Sequence, residues 1–155
     1  MKTHIKRFSE YYSPIDERGA LLPQDWGQKE FREEATIRLL VIDDEIRIRE
    51  MYAQIFDSIG YEVLTAGNAI DAHAILVQSK FDIVLLDINM PEVDGPTLFE
   101  VMRAFHKNVK VVVSSVYSVN EQKERIKDAD GYFDKSDDTD VLVALISSLL
   151  QEFQK

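Results

Sequence analysis

The chain contains no cysteine. That excludes disulfide staples, thiolate metal sites and thiol nucleophiles, and it suits a reducing compartment. Basic charge is scarce as well: 18 Lys and Arg face 28 Asp and Glu, for a formal net charge of −10. Phosphate backbones and anionic bilayers are bound by basic surfaces, so neither nucleic acid nor a membrane is an expected direct partner. No apolar run approaches the ~20 residues needed to span a bilayer. The first residues, MKTHIKRFSEYYS, lack the apolar core of a signal peptide. A cytoplasmic location is the expectation. The three histidines, His4, His73 and His106, form no ligand spacing, which removes a histidine-based metal hydrolase.

What remains is an ordinary globular composition of 155 residues, 45% apolar and 30% charged, long enough to bury a core. From Thr36 onward, strand and helix patterns alternate, without repeats or low-complexity tracts. Strands are expected near residues 37–42, 61–65, 82–87, 110–114 and 131–133. Helices are expected near 45–59, 69–79, 96–106, 120–127 and 138–153. The first helix should turn Ile48, Met51, Ile55, Phe56 and Ile59 inward and stop at Gly60. The second should bury Ala72, Ile75 and Leu76. Five successive strand–helix units imply an α/β fold, a doubly wound five-stranded parallel sheet with helices on both faces.

Residues 1–35 differ in kind and read as an N-terminal extension to a domain over 36–155. They are nearly neutral, yet hold Phe8, Tyr11, Tyr12, Trp26 and Phe31, including the only tryptophan. Disordered tails are usually poor in aromatics, and Pro14, Gly19, Pro23 and Gly27 rule out one long helix. The extension is open to three readings: packing on its own domain, a partner-binding or dimerising arm, or a disordered leader.

Chemistry concentrates at strand ends. Residues 81–95, FDIVLLDINMPEVDG, run from an apolar strand into Asp87 and then into turn residues. The first strand likewise ends on Asp43-Asp44, the fourth on Ser114-Ser115, and the fifth leads to Lys135. In open α/β sheets, ligands bind at the carboxyl ends of the strands. In a doubly wound sheet the ends of strands one and three are neighbours, which gathers Asp43, Asp44 and Asp87. Two like charges ~4 Å apart cost roughly 4 kcal/mol at an effective dielectric near 20. Such a trio calls for a cation, and hard oxygen ligands with room for water suit Mg²⁺. An Asp beside that metal can accept a phosphoryl group, with lysine as a second positive contact and a serine hydroxyl as a donor. Taken singly, an Asp pair after a strand is more often a turn or helix cap, and a strand-end Ser or Lys is more often structural. The order of the groups carries the joint reading.

These motifs resemble the receiver domain of two-component response regulators, the CheY-like fold. LLVIDDE is similar to the family's first strand and acidic pair, DIVLLDINMPEVDG to its phosphoacceptor strand and loop, and ADGYFDKS to its fifth strand with the lysine. The resemblance covers about residues 36–155 and implies strand order 2-1-3-4-5. It makes Asp87 the phosphoacceptor, charged by a sensor histidine kinase or phosphotransfer protein. Asp44 and Asp87 become direct Mg²⁺ ligands, Asp43 a ligand through water, and Asn89 a ligand through its main-chain carbonyl. Lys135 pairs with the carboxylate and then with the phosphoryl group. Ser114, with Ser115 as the alternative, becomes the hydroxyl that swings toward the phosphoryl, and Tyr132 the aromatic switch that follows it. The chain departs from the family in having Ser for the commoner Thr, Ser136 for the proline after the lysine, and Asp128 for a glycine.

The resemblance implies no enzyme acting on a separate substrate, only a protein that catalyses its own phosphorylation and dephosphorylation. With no further domain after residue 155, it is expected either to stand alone or to be one domain of a longer protein, acting through a downstream protein target. In the last helix Val141, Leu142, Val143, Leu145, Ile146, Leu149, Leu150 and Phe153 form a wide apolar surface. Deep burial accounts for it, or a second contact such as self-association. Two rivals differ in class. A haloacid-dehalogenase-type enzyme wants an Asp where Asn89 stands and leaves Asp43-Asp44 unexplained. A phosphorylation-independent pseudo-receiver would be a protein-binding module, although Asp87, Asp44 and Lys135 are all retained.

Overall fold

A computed structural model describes residues 36–91 and 95–151. The expected alternation is found. In chain order the elements are β1 (Arg38–Ile42), α1 (Ile46–Ser58), β2 (Glu62–Ala66), α2 (Ala69–Gln78) and β3 (Ile83–Asp87). There follow α3 (Gly95–Phe105), β4 (Lys110–Ser115), α4 (Val119–Arg125), β5 (Gly131–Asp134) and α5 (Thr139–Gln151). All strand pairings are parallel, in the order β2-β1-β3-β4-β5. Residues 1–35, read above as an extension, lie outside the described residues, as does Phe153.

The central strands read as unbroken apolar runs because helices cover both faces of the sheet. Alternate residues divide between two cores. Leu40, Ile42, Val84, Leu86, Val111 and Val113 face α2 and α3, whereas Leu39, Val41, Ile83, Leu85, Val112 and Phe133 face α1 and α5. Strand parity therefore decides which face each strand-end polar group inherits.

Local sequence explains the element ends. Asn68 caps α2 by accepting from the Asp71 N–H, and Ser118 with Glu121 forms a capping box at α4. α1 ends in a Schellman motif. The Gly60 N–H donates to the Asp57 carbonyl and the Tyr61 N–H to that of Phe56, with Gly60 at φ +93° and the Phe56 and Tyr61 rings stacked.

The inward face of α1 needs correction. Phe56 is buried and Ile48 and Ile55 pack at its margin, but Met51 is 37% and Ile59 48% exposed. Ile59 is the non-helical cap residue and so leaves the stripe. Tyr52, one turn before Phe56, fills the core position instead, at 2% exposure. In α5, Leu142, Ile146 and Leu150 are buried, Val143, Leu145 and Leu149 pack partly against the same core, and Val141 is exposed. Among the described residues no helix is long and apolar enough to cross a membrane.

Candidate functional site

Parity assembles the site. Asp87 continues the Ile83, Leu85 side of β3, Asp43 the Leu39, Val41 side of β1, and Lys135 the Phe133 side of β5. Ser114 continues the Val112 side of β4 and is the register partner of Asp87. All four therefore belong to the face covered by α1 and α5, at the carboxyl edge where the strand order reverses between β1 and β3.

Asp43 and Asp87 are buried there, while Asp44 is exposed. Asp43, Asp44 and Asp87 each offer a carboxylate oxygen, and these oxygens lie within 4.8 Å of one another. Lys135 Nζ donates to Asp43 Oδ2 at 2.6 Å and lies 3.3 Å from Asp87 Oδ2. The Glu45 N–H donates to Asp43 Oδ1 at 2.9 Å, and the Asn89 N–H to Asp87 Oδ1 at 3.0 Å. Both buried carboxylates are thus oriented through both oxygens. Asp44 engages none of the described residues and is the acid left open to a new ligand.

Burial raises the Asp87 carboxyl, against the lowering effect of the Asn89 N–H and Lys135, and the Asp43 charge adds to the rise. Desolvation pulls Lys135 down, but its bond to Asp43 and the charges of Asp87 and Asp43 outweigh it, and the ammonium is raised. Burial is thus the main cause of the raised Asp87, and the Asn89 N–H and Lys135 offset it only in part. A cleft of about 190 Å³ opens over this cluster, lined by Asp43, Asp44, Glu45, Asp87, Asn89, Val116 and Lys135. Hard oxygens at this spacing, one of them on a free exposed acid, fit a Mg²⁺ ion that keeps part of its water. A larger cavity of about 470 Å³ lies at the other end of the sheet, beside Lys80, Phe81, His106 and Val109, and holds no acid cluster.

The serine doublet separates by face. Ser114 Oγ lies 3.5 Å from Tyr52 Oη, on the side of Asp87. Ser115 points the other way, and its Oγ accepts from the Tyr117 N–H at 3.2 Å. Tyr132 registers with Val113 and belongs to the opposite face from Ser114. Its hydroxyl donates to the Ile126 carbonyl at 2.7 Å and accepts from the Ala129 N–H at 3.2 Å, tying β5 to the end of α4. Gln122, fully buried on α4, donates to the carbonyls of Tyr117 and Phe133 and draws the same elements together.

Two contributors escape a motif reading. Arg49 Nη1 donates to the Asp43 carbonyl at 2.7 Å and fixes the strand end. Tyr52 reaches Ser114 from α1. Its only sequence signal is a tyrosine on an apolar stripe, four residues before Phe56, where a buried hydroxyl needs a partner.

Asp128 takes φ 62°, a left-handed conformation that glycine adopts freely. Ser136 donates through both its N–H and Oγ to Asp134 Oδ1, closing a turn where proline would have stiffened it.

The sequence matches the family described as the response regulator receiver domain over residues 39–147. It is 30% identical over 91 residues to sporulation initiation phosphotransferase F of Bacillus subtilis, covering 56% of this chain and 73% of that protein. It is 35% identical over 124 residues to the chemotaxis protein CheY of Treponema pallidum, covering 76% of this chain and 85% of the relative. Other curated relatives are longer, and the match spans 51% and 49% of two of them. Among solved structures, the response regulator protein TrrA of Thermotoga maritima, in complex with Mg²⁺-BeF, superposes with a TM-score of 0.68 at 32% identity. That match covers 74% of this chain and 99% of TrrA.

Proposed function

The chain belongs to the response regulator receiver domain family of two-component signalling, and on that premise we propose that it accepts a phosphoryl group on Asp87 in a Mg²⁺-dependent reaction and switches its surface to control protein partners. The observation that carries this reading is the placement of Asp87, a buried carboxylate oriented through both oxygens beside Asp43, Asp44 and Lys135.

Receiver domains pair with histidine kinases or phosphotransfer proteins. An Asp87 oxygen attacks phosphorus, and the donor's bond to phosphorus, P–N in a phosphohistidine, breaks with its electron pair leaving on the imidazole. Asp43, Asp44, Asp87 and the Asn89 carbonyl would hold a Mg²⁺ ion, which would supply positive charge against the transferring oxygens. Lys135, released from the Asp87 carboxylate, becomes the second positive contact, and Asp43 keeps it in place. The product carries about −1.5 to −2 charge, by analogy with other phosphorylated side chains, and that charge draws Ser114 Oγ toward it. Tyr132 then gives up its bonds at the end of α4, and the face formed by α4, Tyr132 and α5 changes for a downstream protein or a second copy of the chain. No separate substrate is turned over; the chain catalyses only its own phosphorylation and dephosphorylation.

Reductive trapping tests the assignment. After incubation with acetyl phosphate and Mg²⁺, borohydride should convert the acyl phosphate to homoserine at position 87. Recovery of unmodified Asp87, or of homoserine elsewhere, would overturn it.

A further inference from the structure

Tyr52 and Ser114 form an isolated pair of hydroxyls inside the domain. Both are buried, at 2% and 1% exposure, and Tyr52 Oη lies 3.5 Å from Ser114 Oγ, either of them able to donate. Among the described residues each side-chain hydroxyl has only the other as partner, and Ser114 makes no hydrogen bond to Asp87 or Lys135. Serine lacks the β-methyl that restricts threonine, so nothing in its own side chain selects one χ1 rotamer. The tyrosine does. We propose that Tyr52 is a positioning residue that holds Ser114 in its unphosphorylated rotamer and so sets the threshold of the switch, an inference that rests on the receiver reading above.

The physical basis is an asymmetry. When Ser114 Oγ turns toward a phosphoryl group it gains an anionic partner, but Tyr52 Oη is left buried without one. A buried hydroxyl that loses its partner is penalised by more than the bond itself contributes. The penalty falls only on the switched state, so Tyr52 opposes switching through its contact with Ser114, without a hydrogen bond to Asp87, Lys135 or the acidic pair among the described residues. At 3.5 Å the contact is longer than the usual hydroxyl–hydroxyl bond, and the hold is a light one, worth about two- to fivefold in the switching equilibrium.

Tyr52→Phe keeps the ring and its packing and removes only the hydroxyl. The full chain is titrated with beryllium fluoride in excess Mg²⁺, with the Ser114 and Tyr132 amide shifts as the readout. The midpoint should fall about two- to fivefold in Tyr52→Phe, because a larger fraction of the protein is competent to switch. In a Ser114→Ala background the same substitution should change nothing. An unchanged or raised midpoint overturns the proposal, and so does an equal shift in the Ser114→Ala background. Without any fluoride, the Hα–Hβ couplings of Ser114 should report one rotamer in wild type and averaging in Tyr52→Phe. Identical couplings also overturn it. A wild type blind to beryllium fluoride would sink the receiver reading, and the couplings would still decide whether Tyr52 holds Ser114.

Discussion

Lys135 Nζ sits 2.6 Å from Asp43 Oδ2 and 3.3 Å from Asp87 Oδ2, so the lysine is anchored by the carboxylate that is not the expected phosphoacceptor. One ammonium spans two buried acids, and removing it leaves both uncompensated. Lys135→Met should lower stability by about 3 kcal/mol, read from urea unfolding, with Mg²⁺ recovering more of the loss than it adds to wild type. Because the ammonium is raised in the fold, its stabilisation is complete below the ordinary lysine range and is lost as pH climbs through the raised value. Wild type and variant should therefore converge in strongly alkaline solution.

Asp87 behaves in the opposite sense. Burial raises its carboxyl, so the folded chain binds the proton more tightly than the unfolded one. Its destabilisation is absent below the ordinary aspartate range and complete above the raised value. Asp87→Asn should raise the stability of the Mg²⁺-free protein by about 1–2 kcal/mol at neutral pH. Thermal unfolding across pH should show that advantage vanishing in acid.

At Asp128 the backbone takes φ 62° without glycine's freedom. Asp tolerates this conformation better than most residues but not without strain. Asp128→Gly should gain up to about 1 kcal/mol, and Asp128→Val should lose about 1–2 kcal/mol. Urea midpoints of the three proteins would rank them.

Gly95 begins α3 against the strand end that carries Asp87. A Cβ there would lie 2.3 Å from Ile88 Cα and 2.9 Å from the Asp87 carbonyl oxygen, and backbone cannot yield as a side-chain tip can. Gly95→Ala should cost about 2 kcal/mol or more and displace the amide resonances of Asp87 and Ile88. An unperturbed spectrum at those two positions would show that the close approach is not obligatory.

Much of this arrangement could be read from sequence because β1, β3 and β4 are each an apolar run halted by a polar residue. Counting alternate positions along β3, β4 and β5 places Asp87, Ser114 and Lys135 on one face. The same count separates Ser114 from Ser115. The roll of α1 was not legible, since an apolar stripe favours Met51 and Ile59 over a tyrosine. Ile59 in fact belongs to the cap, and Tyr52 goes inward. Its meeting with Ser114, 62 residues away, depends on how α1 packs across the sheet, which periodicity cannot express. The turn that Ser136 closes on Asp134 is a local bond hidden by the absence of proline.

Intact mass after incubation with acetyl phosphate, with and without Mg²⁺, on wild type and Asp87→Ala, tests the central claim most directly. A single phosphoryl adduct on wild type, dependent on Mg²⁺ and missing from Asp87→Ala, is the predicted result. An adduct that survives the substitution, or none under any condition, would contradict it.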